Sequence, residues 1–89
     1  MKAIVTVVGK DAVGIIAAVC MELASYNVNV LDISQTVMQG YFTMMMAVDV
    51  CGCQIPLAEL VKRLEEKGKE MGLSIRLQRE DIFEAMHRV

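Results

Sequence analysis

Between Val28 and Cys51 the side chains alternate with a period of two on either side of Gln39-Gly40, and no other stretch limits the possible folds as strongly. On the first limb Val30, Asp32, Ser34, Thr36 and Met38 share one face and Leu31, Ile33, Gln35 and Val37 the other. On the second, Phe42, Met44, Met46, Val48 and Val50 oppose Thr43, Met45, Ala47 and Asp49. Two such limbs joined at a short turn predict an antiparallel hairpin over residues 28–51, with one side of the first limb wetter than its other. Whatever forms must be built around that hairpin.

The flanks repeat a pattern. Lys2 to Val8 is rich in β-branched residues and stops at Gly9, which predicts a strand apolar on both faces and hence a central one. After the loop from Gly9 to Gly14, Ile16, Val19, Cys20 and Leu23 recur at helical spacing, and Asn27 closes that helix in the left-handed conformation. Pro56 opens a second helix striped by Leu57, Leu60, Val61 and Leu64, with Glu59/Arg63, Lys62/Glu66 and Glu65/Lys69 four apart on its solvated side and Gly72 at its end. Ser74 to Glu80 reads as a fourth strand, polar enough to lie at an edge. A short tail helix over residues 79–89 is expected to pack Ile82, Phe83 and Met86 back on the body, leaving Glu84, His87 and Arg88 outward. The order is β-α-β-β-α-β plus a tail. Right-handed crossovers make it an α+β, ferredoxin-like plait: a four-stranded antiparallel sheet with two helices on one face.

Eighty-nine residues suffice for one such domain, residues 1–89, and no second core. A net charge of −2, four aromatics and no Trp argue against nucleic acid and against a basic membrane-surface binder. Apolar residues are 55% of the chain, greasy for this size, so a homo-oligomer, most simply a dimer, is expected. Three cysteines, an odd number, suit a reducing cytoplasm better than a secreted disulfide framework. The apolar run Ala12 to Met21 follows Lys10-Asp11, wrong for a signal peptide, and no run nears the roughly 18 residues that span a bilayer.

The plait carries many functions, so single residues must decide. The loop from Gly9 to Gly14 has no thiolate for a metal chaperone, the first strand has no aromatic for stacking bases, and no Arg precedes Arg63 to support acyl-phosphate chemistry. Gly9 and Gly14 have the G-x-x-x-x-G spacing, but Ile15-Ile16 stand where a phosphate loop needs Lys and a hydroxyl. What the loop offers is a helix start whose free N–H groups can hold a small carboxylate. The same residues also read as a plain turn capped by Asp11, and for Asp11 alone capping ranks first. Cys51-Gly52-Cys53 supplies two ligands, half a metal site, and reads as an ordinary turn. Met44-Met45-Met46 alternate across a strand and fill a core or a dimer face. His87 lacks a partner nucleophile, and the charges from Glu59 to Glu70 read as a solvated face, so no catalytic residue, metal site or cofactor is assigned.

In two places the chain resembles a known family, the ACT domains: Val5 to Gly9 running into Lys10-Asp11-Ala12-Val13-Gly14-Ile15-Ile16, and then Asn27 to Ile33. In Asp32-Ile33-Ser34-Gln35-Thr36, Gly40-Tyr41-Phe42-Thr43-Met44 and Gln78 to Arg88 it is similar to the stand-alone, single-domain bacterial members, a resemblance over nearly its whole length. The resemblance implies amino-acid sensing, with ligand between the first loop and the start of the second strand, commonly at a subunit interface. By position it points to Asp11, Val13, Gly14 and Ile15 in the loop and Asn29, Val30 and Leu31 on the strand. N–H groups near Gly14 are then expected to take an α-carboxylate, Asn29 an α-ammonium, and Val13, Ile15 or Leu31 the ligand's side chain. The alternative is a protein interaction module without a small ligand.

Overall fold

The computed structural model describes residues 1–10 and 14–81. Its elements are β1 (Lys2–Lys10), α1 (Ile15–Ser25), β2 (Asn29–Met38), β3 (Tyr41–Asp49), α2 (Leu57–Met71) and β4 (Ser74–Arg79). The strands form one antiparallel sheet in the order β2-β3-β1-β4, so the chain is the expected plait, with β4 at an edge. Glu80 and Asp81 are helical after β4; the rest of the expected tail helix, residues 82–89, lies outside the described residues, as do Asp11 and Val13.

One face of the sheet makes the core. Ala3, Val5 and Val7 of β1, Phe42, Met44, Met46 and Val48 of β3, and Ile75 and Leu77 of β4 pack with Ile15, Val19 and Leu23 of α1 and Leu60 and Leu64 of α2. The expectation that β1 is apolar on both faces holds for its composition but not for its burial. Ala3, Val5 and Val7 are buried, Ile4 and Thr6 are half-buried and Val8 is exposed, because both helices lie on the same side. The strand also runs two residues further than expected. Gly9 is not a turn residue: it pairs with Phe42, and its missing side chain admits Leu73, whose Cδ2 fills the place a Cβ would take.

The turns follow their chemistry. Gln39 and Gly40 are both left-handed (φ 50° and 81°), which suits the twist of a two-residue hairpin. Asn27 is left-handed as expected (φ 62°), and its Nδ2 donates to the Gly52 carbonyl at 2.9 Å, tying the end of α1 to the loop after β3. On α2, Glu59 and Arg63 close at 3.0 Å, and Arg63 also donates to the Tyr26 hydroxyl at 3.2 Å, bridging the two helices.

The hairpin register corrects the expected alternation. Val30 pairs with Val48 and Asp32 with Ala47, so Leu31 is an extra residue with no opposite number on β3. This β-bulge turns Val30 to the helix side, together with Ile33, Gln35 and Val37, and leaves Asp32, Ser34 and Thr36 on the open side. Beside it the Ile33 N–H donates to the Asp32 carboxylate at 2.9 Å.

Candidate functional site

The loop half of the site is a helix start. Gly14 is the residue before the first turn of α1, in the left-handed conformation (φ 85°), which a side chain would strain. Its carbonyl accepts the Ala18 N–H at 2.9 Å, the first bond of the helix. The N–H groups of Ile15, Ile16 and Ala17 therefore precede the helical ladder, and among the described residues no side-chain hydrogen bond caps them. The Ile15 side chain is buried in the core, so Ile15 offers the site its N–H rather than a hydrophobic wall.

The strand half is rigidly held. Asn29 pairs with Asp49, whose Oδ1 accepts the Cys51 N–H at 2.9 Å. That bond, with further bonding to Cys51, holds the Asp49 carboxyl below its ordinary value. The Gln54 N–H donates to the Tyr26 carbonyl at 3.1 Å, bracing the loop just before β2. Asn29 is exposed, Val30 half-buried against the core and Leu31 exposed at the bulge.

These two halves do not meet in one chain. Lys10, the last described residue before the loop, pairs with Tyr41, while Asn29 pairs with Asp49. From 41 to 49 is eight residue steps along β3, about 27 Å at 3.4 Å per residue. Gly14 and Asn29 thus stand at opposite ends of the sheet. The sequence already held the signal, since the first group precedes α1 and the second follows it, and the helix separates what it connects.

Elsewhere a groove of about 540 Å³ runs between α2 and β4, lined by Val61, Glu65, Lys69 and Arg76 among others; it contains none of the expected site residues. No group of three or more His, Cys, Asp or Glu placed to hold a metal ion occurs among the described residues. Nor is any described helix long and apolar enough to cross a membrane.

The family model of the ACT domain matches residues 2–78, which span both halves of the site. This chain belongs to the ACT domain family. A UPF0237 protein of Bifidobacterium longum is 56% identical over 99% of this chain and 98% of its own length. The fold of an ACT domain protein from Streptococcus pneumoniae superposes with a TM-score of 0.83, at 44% identity and 98% coverage of both chains. The regulatory subunit of aspartate kinase from Thermus thermophilus, in a ligand-free form, matches with a TM-score of 0.67 at 26% identity, covering 89% of this chain and 51% of that one. ACT domains are in general regulatory ligand-binding modules rather than catalytic ones. The family match ends at Gln78, whereas the B. longum relative aligns with nearly the whole chain, so the last residues belong to the single-domain branch.

Proposed function

We propose that this ACT domain acts in the cytoplasm as a non-catalytic sensor of an amino acid or similar small carboxylate, held at the interface of a homodimer. The observation that carries the reading is the separation of Gly14 from Asn29. β2 is an edge strand, and its exposed Leu31, Ile33 and Val37 are three of the large apolar side chains left in solvent. Pairing β2 antiparallel with β2 of a second copy reverses the partner's strand, so the partner's Asn29 approaches the end of the sheet where Gly14 lies. Each of the two symmetric pockets then takes its N–H groups from one chain and its amide side chain from the other. The carboxylate meets the N–H groups that precede the helical ladder and the positive end of α1. The apolar Val30–Leu31 segment faces the ligand's side chain. Binding at such a junction favours association, because the ligand binds only the assembled state. The aspartate kinase subunit, with its regulatory role and related fold, supports the reading.

The test is a thermal-shift screen of the twenty amino acids, with sedimentation of the best ligand's complex. At least one amino acid is expected to raise the melting temperature and tighten the dimer, and Gly14→Ala is expected to remove both effects. No shift from any of them refutes the sensor. The second reading, a protein interaction module, draws on the open face of the sheet, where Ile4, Thr6, Val8, Thr43, Met45 and Ala47 form an uncharged centre. Isolation of a fixed protein partner that binds through this face, with no ligand response, favours it.

A further inference from the structure

We infer that Cys51 and Cys53 form a redox-active thiol pair, which a small-molecule disulfide converts to an intramolecular bridge that displaces the anchor of β2. The chemistry needs neither a second copy nor an amino acid. All three cysteines of the chain are free, and these two flank a single residue of one turn. The Cys53 N–H donates to the Val50 carbonyl at 3.0 Å, closing residues 50–53 into a β-turn. Two residue steps reach at most about 7.6 Å, and a turn shortens them into the range of roughly 4.4–6.8 Å over which disulfides join Cα atoms. Gly52 is accounted for by packing, since a Cβ there would stand 2.9 Å from Asn27 Nδ2. The exposed Cys51 side chain has no such role in the core.

The two sulfurs are placed for different steps. Cys51 is exposed, with its Sγ accepting from the Met1 ammonium at 2.6 Å, so a small disulfide reaches it from solvent. Cys53 is half-buried against the core. The Cys51 thiolate attacks one sulfur of a disulfide RSSR, forming a mixed disulfide and expelling RS⁻. The Cys53 thiolate then attacks the Cys51 sulfur, a second RS⁻ leaves, and the bridge closes. The two protein thiols have lost two electrons and two protons, and RSSR has become two thiols. An exposed bridge is readily reduced again, as a thiol pair in a reducing compartment requires. Closing it swings the Cys53 side chain off the core and shifts the Gly52 peptide. The carbonyl of that peptide accepts from Asn27 Nδ2 at 2.9 Å, and the Gln54 N–H donates to the Tyr26 carbonyl at 3.1 Å, so the displacement passes to the residues that lead into Asn29.

The test is to incubate the full chain with glutathione disulfide and to follow intact mass and thiol labelling. The wild-type chain and Cys20→Ser are both expected to end as single chains lighter by two hydrogen atoms. Cys53→Ala, which stays apolar against the core, is expected to stop at one glutathione adduct, and Cys51→Ser to react about tenfold more slowly than the wild type. Lasting accumulation of the adduct on the wild-type chain, or equal rates with and without Cys51, overturns the thiol pair. Oxidation is also expected to shift the amide resonances of Asn27 and Asn29. If the bridge forms and those resonances stay where they are in the reduced chain, the displacement of the β2 anchor is overturned.

Discussion

The two edges of this sheet hold equivalent places and have been finished differently. On β4 the helix-side residues Ile75 and Leu77 are 2% and 7% exposed, under a 15-residue α2 whose Gly68 lets the helix settle against Leu73 and Ile75. On β2 the corresponding Ile33 and Val37 stand in solvent, because the shorter α1, of 11 residues, leaves the far part of that strand uncovered. One edge is closed by the chain's own helix. The other keeps apolar side chains that a solitary domain has no use for, and edge strands of that kind invite another strand.

The sharpest way to break the comparison is to damage the closed edge. Leu64→Ala removes a fully buried side chain from the core that covers β4 and is expected to cost about 2–5 kcal/mol in urea unfolding. A cost below about 1 kcal/mol there shows that α2 does not close the edge as described. Gly68→Ala comes next. Alanine is the better helix former by about 1 kcal/mol, but its Cβ meets the Leu73 carbonyl oxygen at 2.8 Å, and backbone cannot retreat as a side chain can. The clash wins, so a net loss of about 1–2 kcal/mol is expected, and a gain would mean that α2 sits further from β4.

On the open edge the expected effect moves from stability to association. Val37→Lys is expected to shift the stability of the dilute protein by no more than about 0.5 kcal/mol, while sedimentation at high concentration shows a weakened dimer. Equal dimerisation by both proteins removes β2 as the interface. The smallest effect is at the end of the sheet where β2 begins. Asp49 is half-buried, and its carboxyl is lowered by the Cys51 N–H, so its contribution is complete above the ordinary value of 3.8 and is lost as the pH falls through the lowered one. Asp49→Asn is expected to flatten that part of the acid unfolding curve slightly, leaving the curve above pH 3.8 parallel to that of the parent.

Most of the fold was legible in the sequence because each boundary had local chemistry behind it: Asn27 and Gly72 at helix ends, Pro56 before a helix, Gln39-Gly40 between alternating limbs. Three features were not. The bulge at Leu31 follows from register against β3, which no property of Leu31 announces. Gly9 looked like a turn because its reason for being glycine is Leu73, distant in sequence and close in space. Ile15 looked like a pocket wall because helical spacing alone does not say whether Ile15 or Ile16 points to the core. The candidate site was legible as two sets of residues but not as a place, since naming the sets ignores that α1 carries the chain from one end of the sheet to the other.

In the proposed dimer that separation has a genetic consequence. A chain spoiled at Gly14 and a chain spoiled at Asn29 each form dimers in which both pockets are dead. Co-expressed, they also form mixed pairs in which one pocket collects both lesions and the other collects none. Two alleles, each spoiled in a different half of the pocket, would then complement each other, restoring one working pocket in every hybrid pair.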